Sequence, residues 1–287
     1  MNLPVMIQKT FEGHTLTIAT MHGKEAVLEP VLREKLGVRV AVPENIDTDS
    51  LGTFSGEVPR THSPLETARR KCLLAHETTG ASLVLASEGS FGGHPVMGFI
   101  PADEELLLLR DFGNDIEYKA RVLSTRTNFA GNDYNDWDDV LFFAAQVSFP
   151  SHGLIARPAG DNYSEIHKGI RSWDRLKESF HYFLHHHKSV RIETDMRALH
   201  NPTRMKVIGE AAQKLVELLY EGCPRCTAPG FGVREVIRGL PCSQCQEPTN
   251  SARALVYICP HCGHAETKPA ATPKPVEDPM FCNTCNP

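Results

Sequence analysis

Eight of the nine cysteines fall in four Cys-x-x-Cys pairs, all beyond residue 222: Cys223/Cys226, Cys242/Cys245, Cys259/Cys262 and Cys282/Cys285. No other feature limits the fold so strongly. In a reducing compartment this spacing holds metal and does not form a disulfide framework. Eight thiolates complete two closed four-cysteine zinc sites, with no open coordination position for catalysis. A tail this short has little apolar core, so metal must supply much of its stability. The spacing leaves the pairing open. Sequential pairing joins the first pair to the second and the third to the fourth. Nested pairing is the alternative, because residues 241–264 alone read as a zinc ribbon. A redox role is not expected, since no pair follows a strand into a helix in the thioredoxin manner. His264 decorates a knuckle, and residues 268–279, rich in proline, read as a loop. Cys72 stands apart as a small apolar helix residue.

The rest of the 287-residue chain is long enough for one large domain beside this tail. The formal charge is −5, which gives no bulk affinity for nucleic acid or a membrane surface. The tail itself carries six Lys/Arg against five acids, so nucleic acid is not the expected partner. No apolar run is long enough to cross a bilayer, and residues 1–10 lack the form of a secretory signal. The expected location is cytoplasmic.

Leu83-Val84-Leu85-Ala86-Ser87 reads as a strand buried on both faces of a parallel sheet. Glu88 ends it, and a glycine-rich loop, Gly89 to Gly93, follows. Ligands of open α/β sheets bind beyond such strand ends, and glycines let them approach the backbone. Upstream, residues 16–20 form a strand and 24–36 a helix, with Pro30 expected to kink or delay it. Residues 38–42 form a second strand. This βαβ unit implies parallel pairing. Residues 45–62 are a polar loop. Ser63 then caps a helix with Pro64 at N1 and Glu66 in a capping-box position, and Gly80 closes it.

Three stretches here, Thr20-Met21-His22-Gly23-Lys24, Glu66-Thr67-Ala68-Arg69-Arg70-Lys71 and Ser87-Glu88-Gly89, resemble landmarks of one superfamily. It is that of the inosine/xanthosine triphosphate pyrophosphatases and their Maf relatives. The resemblance covers residues 16–93. It implies that Lys24 and Lys71 contact phosphate. It also implies that Glu66 helps hold a magnesium or manganese ion, and that Glu88 holds that ion or activates water. Thr20, His22, Ser87 and Gly89 would line the substrate. Met21 and Thr67 depart from the superfamily pattern, and its Phe-Gly-Tyr/Trp-Asp-Pro base-recognition segment has no counterpart here. The chain as a whole resembles an uncharacterised bacterial family that couples such a domain to a cysteine-rich tail.

The chemistry is consistent with that reading. Cleaving a phosphoanhydride requires charge neutralisation, a bridging cation and an oriented water. The competing reading makes Glu66 a capping acid and the lysines solvated helix residues.

Residues 104–111 and 116–125 read as a hairpin turning at Gly113-Asn114-Asp115. Residues 132–139 partly resemble a calcium loop but lack its central Gly and terminal Glu, so acids at a helix start are the better account. Residues 154–156 are a weak strand, and 173–187 a helix whose His181, His185, His186 and His187 read as solvated or packed. Asn201 caps a helix with Pro202 at N1 and an apolar stripe of Ile208, Ala212, Leu215 and Leu219. Arg197 and Arg204 flank its start. Either reaches substrate, or Asp195 pairs with one of them to fix the helix.

The expected architecture is therefore α/β. A mixed, largely parallel sheet flanked by helices occupies 1–221, and a small zinc-stabilised domain occupies 222–287. The expected function is metal-dependent hydrolysis of a nucleoside triphosphate, one with a non-standard base, to monophosphate and pyrophosphate. The alternative is a non-catalytic nucleotide-sensing or protein-binding module that docks a partner through the zinc tail. A nucleic-acid reader led by the ribbons is a third option.

Overall fold

The computed structural model describes residues 3–52, 61–160, 163, 165–270 and 274–287. The chain divides into two compact units. One is Phe11–Val216; the other joins Met1–Thr10 to Glu217–Pro287.

The first unit holds two sheets. Strand β1 (Thr15–Ala19) leads through helix α2 (Glu25–Leu36) to β2 (Arg39–Ala41). Helix α3 (Pro64–Thr79) then leads to β3 (Leu83–Gly93). β4 (Pro101–Asp111) and β5 (Ile116–Ser124) complete a sheet ordered β2-β1-β3-β4-β5. β1 pairs parallel with β2 and β3, while β3, β4 and β5 pair antiparallel. Pro30 lies inside α2, but the helix starts at Glu25 and runs through it, so its start is not delayed. The start of α3 follows its sequence signals. Ser63 Oγ accepts from Glu66 N at 3.3 Å, and Gly80 ends the helix in the left-handed region.

The second sheet has the order β6-β9-β7-β8, all antiparallel, from β6 (Gly131–Tyr134), β7 (Leu154–Pro158), β8 (His167–Ile170) and β9 (Val190–Thr194). Helices α4 (Trp137–Gln146) and α5 (Trp173–His186) cover it. Their core joins Val140, Phe143 and Ala144 to Leu176, Phe180 and Phe183. Asp136 caps α4 by accepting from Asp138 N and Asp139 N, which is why acids crowd that helix start.

Among the described residues, of the nine strand ladders only those of β1 are parallel. The expectation of a largely parallel sheet is therefore corrected to a mixed α/β fold with three largely antiparallel sheets. The reason lies in β3. Its glycine-rich end is not a loop: Gly89 to Gly93 stay in the strand, paired with Glu105 to Pro101. β4 supplies the hydrogen bonds that a loop would have sought from a ligand or water.

The other unit begins with helix α1 (Val5–Thr10) and takes the end of α6 (Pro202–Tyr220). Its sheet is a meander of β10 (Gly232–Arg238), β11 (Ala252–Ile258) and β12 (Ala265–Pro269). β12 takes in Lys268, so the loop expected from 268 begins later. Among the described residues, no helix is long and apolar enough to cross a membrane.

Candidate functional site

Strand order β2-β1-β3 makes the end of β1 a topological switch point, because the crossover from β1 runs to one side, to β2, and the next returns from β2 past β1 to β3. β1 stops at Ala19, opposite Ala86, while β3 continues to Gly93. An arm of β3 therefore projects past β1, and the charged residues gather around it.

Alternation along β3 sends successive side chains to opposite faces. Val84 and Ala86 pack with Ala68, Cys72 and Ala75 of α3. Glu88 continues that face and meets Lys71 Nζ at 2.5 Å. Ser87 points the other way, where Lys24 Nζ donates to its Oγ at 2.8 Å. The two lysines thus reach the arm from opposite faces. Lys24, Lys71, Ser87 and Glu88 are all buried. Burial, then the positive charges of Arg204 and Lys71, press the Lys24 pKa down to about 7, against the pull of Glu105 and Glu88.

Beyond Ser87, the same face carries Gly89 and Phe91 opposite Glu105 and Asp103 of β4. Arg204, from the first turn of α6, enters here. Its Nε donates to Glu105 Oε1 at 2.6 Å, its Nη1 donates to Met196 O, and its guanidinium lies 5.0 Å over the Phe91 ring. Its own backbone N–H donates to Asn201 Oδ1 at 3.0 Å, which is the expected cap. A Cβ on Gly89 would stand 2.5 Å from Arg204 Nη2. Gly89 is thus required by the arginine above it, and its space is not a ligand's approach. Asp103 shares this buried face. Burial and then the Glu105 carboxylate raise its pKa to about 8, so it holds a proton at neutral pH.

Of the four expected catalytic side chains, Lys71 and Glu88 pair on one face of the arm, and Lys24 binds the adjacent Ser87 on the other. Glu66 is held elsewhere: its half-exposed carboxylate pairs with Arg69 and Arg70, one turn along its own helix. A magnesium or manganese site built on Glu66 and Glu88 together does not fit these positions. Thr20 is buried and accepts from His22 N at 3.2 Å, which shapes the β1–α2 loop. Arg197 pairs with the buried Asp195 at 2.6 Å, one of the two ion pairs expected there. Arg204 has a different partner, Glu105, which the sequence reading missed. Its signal was an acid at 105 on the same strand parity as the apolar Leu107 and Leu109.

A cleft of about 600 Å³ lies next to the arm, between Ser90–Gly93 and the second sheet. Phe91, Phe129, Tyr163, Arg191, Glu193 and Met196 line it. Phe91 lies in the stretch 83–93 and Glu193 and Met196 in 192–204, both marked in the sequence; Phe129, Tyr163 and Arg191 were not.

The eight cysteines form two clusters, Cys223/Cys226/Cys259/Cys262 and Cys242/Cys245/Cys282/Cys285. Within each, all ligand atoms lie within 4.8 Å of one another. Facing sulfurs stand 3.8 and 3.6 Å apart in the first and 3.8 and 3.5 Å apart in the second. Tetrahedral zinc with Zn–S of about 2.3 Å needs S···S near ~3.8 Å, so the donor sets fit structural zinc. Each knuckle closes in the same way, with the backbone N–H after the second cysteine donating to the carbonyl of the first.

The pairing is interleaved, neither sequential nor nested. The sheet dictates this. Antiparallel register sets Gly232 against Ile258 at one end and Arg238 against Ala252 at the other. The first knuckle therefore meets the third, which follows Ile258. β12 carries the chain back to the far end, where Ser243 N donates to Glu277 O and Glu277 N donates to Pro241 O. These bonds seat the fourth knuckle on the second.

No curated protein matches the chain. Among solved structures, the crystal structure of protein VC0702 from Vibrio cholerae aligns at 8% identity, over 71% of this chain and 94% of that one, with a TM-score of 0.31. A family model described as a domain of unknown function, DUF6671, matches residues 71–287, from Lys71 through Glu88, Arg204 and all eight paired cysteines, and the chain belongs to that family.

Proposed function

We propose that the chain hydrolyses a nucleoside triphosphate, one with a non-standard base, between its α and β phosphates, as in the inosine/xanthosine triphosphate pyrophosphatases it resembles over residues 16–93. The observation that carries this is the Lys71–Glu88 pair and the Lys24–Ser87 contact on adjacent residues of β3 at the switch point. Lys24, poised near neutrality by burial, regains its proton when an anion arrives and so neutralises phosphate. Lys71 pairs with Glu88 at 2.5 Å. Glu88 takes the proton of the attacking water, the new P–O bond forms at the α phosphorus, and the bridging oxygen leaves with pyrophosphate. Nucleoside triphosphates arrive as magnesium chelates, with manganese as a substitute, and the cation needs only one protein carboxylate besides phosphate oxygens. Glu88 suits that role; Glu66 does not.

Structural zinc in both cysteine clusters suits a reducing compartment such as the cytoplasm. The test is pyrophosphate release by zinc-loaded protein across a panel of nucleoside triphosphates with Mg²⁺. Glu88→Gln is expected to lower turnover by roughly a hundredfold or more while the protein stays folded. Undiminished turnover in that folded variant overturns the proposal.

A second reading is favoured by the withdrawal of Glu66 and the commitment of both Arg197 and Arg204 to ion pairs. Here the pocket senses a nucleotide without turnover, and the tail, with Met280 and Phe281 exposed, docks a protein. Absence of turnover across the panel, with partner binding lost on deleting the tail, is its mark.

A further inference from the structure

We infer that the cleft beside the β3 arm is the seat of a nucleobase, held by stacking on Phe129 and Tyr163. This rests on the reading above for the phosphate end of the ligand only. Three observations carry it.

The first is the cleft's chemistry. Phe91 and Phe129 stack at 5.8 Å with an interplanar angle of 30° and form one wall. Tyr163 is set in place by the buried Arg157, whose guanidinium lies 4.4 Å over its ring. Phe129 and Tyr163 are 39% and 36% exposed, so each still offers surface to a ligand. A concave site of this volume, with aromatic rings beside Arg191, Glu193 and Thr194, suits a small planar molecule with polar edges.

The second is the polar end. Glu193 is held between Arg157 Nε at 3.2 Å and Arg191 Nε at 3.3 Å. A Cβ on Gly131 would fall 2.6 Å from Glu193 Cβ and 3.1 Å from Arg191 Nη2. The glycine is what lets this donor–acceptor pair lie at the floor of the cleft. Such a pair matches a heterocycle edge carrying both N–H and C=O groups.

The third is distance along β3. Lys24 is bound to Ser87, and Phe91 opens the cleft four residues on, in the same strand. At the rise of a strand this is ~13 Å. Arg204 lies over Gly89 within this span, so the ribose and phosphates would run alongside its guanidinium, with the base in the cleft and the phosphates toward Lys24.

The test is calorimetric titration of the full, zinc-loaded chain with two probes. One is a panel of α,β-methylene nucleoside triphosphates, which resist hydrolysis; the other is inorganic tripolyphosphate. Phe129→Ala and Tyr163→Ala are each expected to weaken the nucleotide probes about tenfold, as loss of a stacking ring does, and to leave tripolyphosphate unchanged. Phe129→Trp is expected to restore nucleotide binding. Both side chains are partly exposed, so folding should survive. Nucleotide binding that is no tighter than tripolyphosphate in the native protein, or equal in the alanine variants, overturns the inference. Aromatic-dependent binding without turnover of ordinary triphosphates upholds it and sinks the hydrolase reading instead.

Discussion

Arg204 Nε lies 2.6 Å from Glu105 Oε1, and neither side chain is reached by solvent. The pair ties the start of α6 to β4 across the arm that carries Glu88. Its charges were taken out of water, so its worth lies in the cost of breaking it. Removing one partner leaves an uncompensated buried charge, at about 3–5 kcal/mol. Glu105→Ala and Arg204→Ala should each lose that much in urea unfolding. Glu105→Leu with Arg204→Met should recover most of it, because no charge is then stranded. A double variant as unstable as either single one contradicts this account.

Gly89 offers an independent check on the same contact. A methyl there would meet Arg204 Nη2 and Glu105 Oε1 at 2.5 and 2.8 Å. Gly89→Ala should destabilise by about 1–3 kcal/mol through overpacking. Adding it to the uncharged Leu/Met double variant should cost less. Equal penalties in both backgrounds would show that the glycine serves something other than the arginine.

Asp103 and Lys24 predict opposite pH slopes. The folded Asp103 keeps its proton to about 8, against the 3.8 of an ordinary aspartate. Between these values the native state binds the extra proton, so stability falls as pH rises. The folded Lys24 loses its proton near 7, against 10.5. Between those values the unfolded state holds the extra proton, so stability rises with pH. Below pH 7 Lys24 no longer contributes, and Asp103 adds a fall of roughly 1 kcal/mol per pH unit or less. Beside it run the opposite slopes of His152, His167 and His200, whose pKa values burial lowers. Urea unfolding at pH 5 and pH 7 should show native stability dropping more than that of Asp103→Asn. Equal drops mean Asp103 is ionised in the folded protein. From pH 7.5 to 9.5, Lys24→Met should remove a rise that the native protein shows.

Local chemistry was readable from the chain; distant pairing was not. Ser63, Pro64 and Gly80 announce α3 because capping is decided within four residues. The Lys71–Glu88 contact was readable because an acid ending a buried run needs a partner, and the preceding helix supplies one. Glu105 and Arg204 are separated by 99 positions, and only strand parity hinted that Glu105 faced inward. Gly89 to Gly93 read as loop because glycine disfavours strands in isolation. The backbone of β4 overrides that preference. The cleft was invisible because its rings come from three separate stretches of sequence. Zinc binding followed from spacing alone, but zinc pairing follows from strand register, which spacing does not encode.

That distinction can be tested by counting metal. The native chain should hold two zinc ions, one per cluster. Replacing Cys226 and Cys262 together by serine removes ligands from one cluster only, so one zinc should remain. Replacing Cys226 and Cys245 together damages both clusters, so both ions should be lost or weakly held. Sequential pairing predicts the reverse for these two variants, and nested pairing predicts loss of both ions in each. Elemental analysis after gel filtration in a weak chelator separates the three. A Cys226/Cys262 variant that keeps no zinc would overturn the interleaved arrangement. Its unfolding curve carries further information. If β10–β11–β12 is pinned at both ends, loss of the first site should free the Gly232/Ile258 end while Arg238/Ala252 stays protected. Hydrogen exchange should therefore quicken at Val233 and Tyr257 before Arg238, and uniform exchange along the sheet would argue that the two sites stabilise it as one body.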